Sequence, residues 1–237
     1  MNKYIGAIFY SYKGGRDLRI SEIKYDARKY LKGYWGKGVL LTFIYFIINS
    51  GITTSIDIVT SGGFDKWVYQ DTVSITADFS NVIISILIIP LTVSITWFYL
   101  DLVRSENPSV ALVFKIYTDV KKALHLIGAT VMIGIFTFLW SLLLVIPGII
   151  KGLAYSQTLY LLKDNPDYGI FEAITESRKR MNGYKWKYFL LNLSFIGWGI
   201  LGLFTVGIGY LWLIPYIYAS NAAFYKNLIA DKKIIEL

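Results

Sequence analysis

The chain has 237 residues, of which 55% are hydrophobic, 17% aromatic and 17% charged; it has no cysteine and a formal net charge of +8. Soluble domains carry about a quarter charged residues, and the mean hydropathy of +0.49 lies further to the apolar side. A disordered chain, a disulfide scaffold and an ordinary water-soluble enzyme are excluded, which leaves a polytopic membrane protein.

In chain order, residues 1–20 read as an N-terminal extension. Its apolar stretch, Tyr4–Tyr12, is short, aromatic-rich and followed by Lys13-Gly-Gly-Arg16 rather than a small-residue cleavage site, so it reads as interfacial or disordered, not as an export signal. Residues 21–231 form one six-pass membrane domain, and 232–237 a cytoplasmic tail. A bilayer core of about 30 Å takes roughly 20 mostly apolar helical residues. Six segments qualify: Val39–Asp57, Asn81–Leu100, Leu124–Ile146, Ile149–Leu162, Tyr188–Val206 and Gly209–Tyr225. The fourth is short, either a tilted partner or a re-entrant half-helix. Runs such as Val82-Ile-Ile-Ser-Ile-Leu-Ile-Ile89 lack the two-residue alternation of barrel strands. The expected fold class is all-α: a helical membrane bundle of six transmembrane helices in three hairpins, each preceded by a cytoplasmic amphipathic helix.

Orientation follows from the basic residues. Of 24 Lys and Arg, 22 fall on one side of these six segments, and only Lys66 and Lys151 on the other. Both termini are therefore expected in the cytoplasm of a plasma-membrane protein.

The five prolines suggest an internal repeat. Pro90, Pro147 and Pro215 each follow isoleucine, and Asn107-Pro108 and Asn165-Pro166 mark cytoplasmic re-entries. Phe114–Lys122 can be laid over Phe171–Lys179, and Arg28-Lys-Tyr-Leu-Lys-Gly-Tyr-Trp35 over Arg178–Trp186 with one insertion. The units are 21–101, 109–163 and 167–226. Ser21, Ser109 and Asp167 are expected to cap their amphipathic helices. The apolar faces are Ile23, Ala27, Leu31 and Tyr34; Leu112, Ile116 and Val120; and Ile170, Ile174 and Met181. Such helices either lie flat on anionic headgroups or serve as basic collars that fix topology.

Four stretches resemble the bacterial integral membrane family called domain of unknown function 975. They are Arg28–Lys37, Phe138-Leu-Trp-Ser-Leu-Leu-Leu-Val-Ile-Pro-Gly-Ile-Ile-Lys151, Asp164-Asn-Pro-Asp167 and Glu172-Ala-Ile-Thr-Glu-Ser-Arg-Lys179, with looser similarity at Ser194–Trp198 and Gly209–Tyr216. The resemblance spans about Ser21 to Asp231. It implies a six-pass bacterial plasma-membrane protein and no activity.

Chemistry-bearing constellations are scarce. His125 is the one histidine, no metal or cofactor motif appears, and Asp57 and Asp101 sit at span ends, so no catalytic residue is assigned and an ion-coupled relay is disfavoured. Gly148, Gly152 and Ser156 form a small-residue face for helix packing. Lys151 beside it either snorkels to the outer headgroups or holds an anionic lipid or carboxylate. Prolines at Pro90, Pro147 and Pro215 kink their helices and free the carbonyls of Ile86 and Leu211, and that of Leu143 if the helix continues through Pro147. Gln157, Asn192, Ser220 and Asn221 either pair with those carbonyls or line a polar ligand cavity. Tyr34, Trp35, Tyr184, Trp186 and Tyr188 read as an interfacial belt and not as a nucleic-acid surface. The expected function is non-enzymatic, a binding or accessory module for lipid, including anionic lipid, for a membrane protein partner or for a membrane-active peptide. The alternative is a transporter with its site at the repeat interface.

Overall fold

The computed structural model describes residues 18–69 and 75–235. The expectations for the extension through Asp17, Tyr4–Tyr12 included, and for residues 236–237 lie outside them. Among the described residues all regular secondary structure is helical, with no strand. The elements are α1 (Ile20–Leu31), α2 (Trp35–Thr60), α3 (Phe64–Tyr69), α4 (Ile75–Val103), a 3₁₀ segment (Val110–Thr118), α5 (Val120–Leu143), α6 (Val145–Tyr155), α7 (Thr158–Asp164), α8 (Ile170–Arg180), α9 (Lys185–Leu193), α10 (Ile196–Phe204) and α11 (Tyr210–Ile235).

Four stretches are long and apolar enough to cross a membrane: Trp35–Thr60, Thr76–Val103, Val120–Leu143 and Lys185–Phe204, the last combining α9 and α10. The expected fourth span is two helices, α6 and α7, broken at Ser156–Gln157. Helix α11 has the length but not the apolarity, and its position explains why. Ala219, Ser220, Ala222, Phe224, Tyr225 and Leu228 are completely buried, with α1, α2 and α4 packed around them. Where protein shields a helix in this way, it needs no lipid-compatible surface. The tyrosine-rich α11 and the apolar second half of α4 together form the core.

Contacts between helices set their relative depth. Gly38 at the start of α2 meets the ring of Pro215, where an added Cβ would lie 3.0 Å from Pro215 Cβ and 3.2 Å from the Tyr99 hydroxyl. Ten residues further along α11, a rise of about 15 Å toward the basic end, Tyr225 binds Asp164 together with Arg104. In the other direction α10 has only nine residues before the chain turns, a rise of about 13 Å. Its turn, Val206 to Ile208, lies beside Phe46 and Asn49 of α2. Beyond Asn49, α2 continues about 16 Å to Thr60. The third hairpin therefore reaches roughly half the depth of the first. The expected sixth span, Gly209–Tyr225, is not a crossing of equal length, because its second half runs past Gly38 toward the basic end.

The amphipathic elements also differ from expectation. Helix α1 packs against protein: the Tyr216 hydroxyl donates to the Lys24 carbonyl, and the Lys226 ammonium donates to the Tyr30 hydroxyl, so α1 runs alongside α11 beyond Pro215. Its face of Ile23, Ala27 and Leu31 is buried in the main core. In the second unit the helix is 3₁₀, so Val113 and Ile116, three apart, are buried while Leu112 and Val120 are exposed. Of the expected α8 face, Ile174 and Met181 are buried together with Ala173 and Ser177, and Ile170 is half-buried. The caps move too. Arg19 and Gly169 precede α1 and α8, the Gly169 N–H donates to Glu172, Ser109 makes no side-chain cap, and Asp119 caps α5 through the Lys122 N–H.

The turns joining α1 to α2 and α8 to α9 match closely. Gly33 and Gly183 have φ of 86° and 84°, a left-handed conformation that glycine adopts without steric cost. Each is followed by a tyrosine, Tyr34 or Tyr184, at the N-cap of the next helix. The first and third amphipathic elements thus share backbone geometry as well as sequence.

Candidate functional site

At the basic end, the charged groups that sequence places at span boundaries are tied to one another. The C-terminus of α4 brings Asp101 and Arg104 against Lys163 and Asp164, which close α7. Lys163 pairs with Asp101 and also donates to the Trp97 carbonyl at 2.8 Å. Arg104 grips Asp164 with two nitrogens, each at 2.7 Å, and the Tyr225 hydroxyl donates to the same carboxylate at 2.7 Å. Burial pushes the Asp164 carboxyl up, but the bidentate guanidinium and the Tyr225 hydroxyl outweigh it and hold it below the ordinary carboxylate range. Burial draws the Lys163 ammonium down against the pull of Asp101. Lys226 reaches from α11 to the Val103 carbonyl at 2.7 Å, and Tyr184 donates to Asp231.

One helical turn outward lies an uncharged polar layer. The hydroxyl of Tyr160 lies among those of Tyr188, Tyr218 and Tyr225. Tyr160 stacks on Tyr225 at 4.9 Å, and Tyr99 on Tyr218 at 5.4 Å. Gln157 sits at the α6–α7 break, where its backbone N–H donates to Ser177 and its side-chain amide to Ser156. The Tyr188 hydroxyl neighbours Ser156, Gln157 and Asn192. Three side-chain atoms in this layer are buried without a hydrogen-bond partner: Gln157 Oε1, Ser220 Oγ and Asn221 Oδ1.

Of the residues singled out from sequence, Gln157 and Asn192 meet through Tyr188. Asn221 lies one turn before Tyr225, on the same side of the layer as Gln157, which lies one turn before Tyr160. Lys151 stands apart, its ammonium 4.2 Å from the centre of the Trp140 ring. Gly148 and Gly152 face Ser141 and Thr137 of α5, with Ser156 continuing the row toward Gln157. Pro90 and Pro215 are inside α4 and α11. Pro147 is in the first turn of α6, because Leu144 is extended and ends α5 before it. The group near the Pro90 kink is Tyr117, whose hydroxyl donates to the Leu87 carbonyl at 2.9 Å. Asn192 bonds the Tyr188 carbonyl of its own helix instead of a proline-freed one. The tyrosines are what sequence reasoning missed. Tyr218 and Tyr225, seven apart on α11, share a helix face, and Tyr188, read as part of an interfacial belt, packs inside with them.

A separate groove lies at the tip of the third hairpin. Thr42, Phe43, Phe46 and Asn49 of α2 face Val206, Ile208 and Leu211 across a largely apolar space of about 480 Å³.

No curated protein and no solved structure matches the chain. A family model described as Protein of unknown function (DUF975) matches residues 19–151 and 141–232. With the resembling motifs and nearly the whole helical bundle inside those matches, the chain belongs to that family.

Proposed function

We propose that the protein is a non-enzymatic lipid-binding accessory module of the bacterial plasma membrane, with four crossings, a third hairpin that re-enters to half depth, and both termini cytoplasmic. Even with the third hairpin re-entrant, 22 basic residues remain on one side, because such a hairpin returns the chain to the side it left. The three-unit repeat is part of this reading, supported by the matched Gly33 and Gly183 turns.

The observation that carries the function is the groove between α2 and the hairpin tip. It opens at mid-depth onto exposed Phe43, Phe46, Ile208 and Trp212, where the surrounding medium is acyl chain. The chemistry of the basic end does not compete with it, since Asp101, Arg104, Asp164 and Lys163 are engaged with one another. An acyl chain is the fitting occupant, with Asn49 and Thr42 able to hydrogen-bond a polar group on it. Ile208→Trp places a larger ring in the groove. Native mass spectrometry of the full chain from mild detergent should show less co-purified lipid in this variant, at unchanged melting temperature. Equal lipid in both proteins would overturn the reading.

The uncharged layer favours a second reading, passage of a neutral substrate past Gln157, Ser220 and Asn221, whose unpaired atoms can bind a hydroxyl or amide. Substrate-dependent flux in proteoliposomes, abolished by Asn221→Leu, would replace the accessory role with transport.

A further inference from the structure

A second cavity, about 380 Å³, opens at the basic end where α4, the start of α5 and the end of α7 converge. Its floor is Trp97, Leu126 and Leu162, and its rim carries Lys121, Lys122 and His125. The floor is fixed: the Trp97 indole N–H donates to the Leu159 carbonyl at 2.8 Å, and the Trp97 carbonyl accepts from Lys163. Lys122 sits over the Trp97 ring, 4.9 Å from its centre. The one carboxylate in the lining, Asp119, accepts from the Lys122 backbone N–H as the cap of α5. His125 Nε2 is buried at this site without a hydrogen-bond partner.

We propose that this cavity binds a phosphate group, supplied by an anionic phospholipid headgroup or by a soluble phosphate compound. Two ammonium groups flank the opening, and the positive end of the α5 dipole points the same way. Trp97 also places the cavity at the level where α4 reaches the ion pairs of Asp101 and Arg104, the depth at which lipid phosphates are expected if the basic end is cytoplasmic. None of these residues lines the groove at the third hairpin, so this site stands or falls independently of the acyl-chain reading.

The test uses the full chain and two probes. Inorganic phosphate is titrated against the detergent-solubilised protein with melting temperature as readout. Nanodiscs of phosphatidylcholine with and without phosphatidylglycerol are then compared by native mass spectrometry for lipid retained on the protein. The variant carries Lys121→Gln with Lys122→Gln, and the control carries Lys115→Gln with Lys179→Gln, which removes the same charge outside the cavity. Retention of phosphatidylglycerol should fall by roughly tenfold or more in the variant, the effect of losing two basic groups near an anionic surface, and stay level in the control. Stabilisation by inorganic phosphate that disappears in the variant supports the site with a soluble source, and phosphatidylglycerol retention alone supports it with a lipid source. Equal losses in variant and control, or no response to either probe, would overturn it.

Discussion

Asp164 shows how one residue couples the bundle to pH. Its carboxylate receives Arg104 from α4 and Tyr225 from α11, so it fastens three helices at one point. Because its folded pKa lies below the unfolded value, it contributes stability that is fully present above the unfolded pKa of about 4 and is lost as pH falls through the folded one. Asp164→Asn should cost about 1–3 kcal/mol at neutral pH, as expected for charge-assisted hydrogen bonds. It should also flatten the decline in melting temperature on acidification below about pH 4. Parallel declines in the two proteins would remove Asp164 from that role. The motif Asp164-Asn-Pro-Asp167 was visible in sequence, and so was Arg104. Their pairing was not, because 60 positions separate them and only the approach of α4 and α7 brings them together.

Among the elements, the α5–α6 hairpin gives the sharpest contrast. Two small-residue rows run antiparallel, Gly148 against Ser141 and Gly152 against Thr137, which lets the helices approach closely. A Cβ on Gly148 would lie 2.0 Å from Ser141 Oγ, 2.8 Å from its Cβ and 2.9 Å from its Cα, so the backbones must separate. A Cβ on Gly152 would meet only the Thr137 methyl, at 3.5 Å. Gly148→Ala is therefore expected to destabilise by about 1–3 kcal/mol. Gly152→Ala should be neutral or stabilising, since alanine is the better helix former by about 1 kcal/mol. Melting curves in detergent separate the two, and equal effects would mean the hairpin is not packed through Gly148. The spacing of four was legible in sequence. Which glycine has no room was not, since that depends on where Leu144 ends α5 and fixes the register. The amphipathic elements show a similar limit: their apolar faces were readable in α1 and α8, but not that protein rather than lipid covers them. Periodicity reports that a face is apolar, not what it meets.

At the scale of the molecule, hydropathy locates the apolar segments, and their relative depth depends on contacts between helices. Helix α11 looked like a sixth span because its start is apolar, while the stretch from Tyr216 to Leu228 is rich in tyrosine and alanine and packs inside the protein. The depth of the third hairpin depends on Gly38 meeting Pro215, a contact between positions with no recognisable relation in sequence. The absence of cysteine makes this topology directly testable, because single introduced thiols report without background. Asp65→Cys, in the connection between α2 and α4, should react with a membrane-impermeant maleimide on intact cells. Lys179→Cys, on the exposed side of α8, should react only after permeabilisation. Val206→Cys decides the third hairpin. Its side chain is 93% exposed at the tip of the turn, so no protein shields it. If the tip stops beside Asn49, the thiol lies among acyl chains, where an impermeant reagent cannot reach it and few thiolates form. It should then stay unlabelled both before and after permeabilisation, yet react with a small membrane-permeant maleimide once the protein is denatured. Labelling of Val206→Cys from outside intact cells, at the level of Asp65→Cys, would mean that the hairpin crosses completely and that the bundle has six spans.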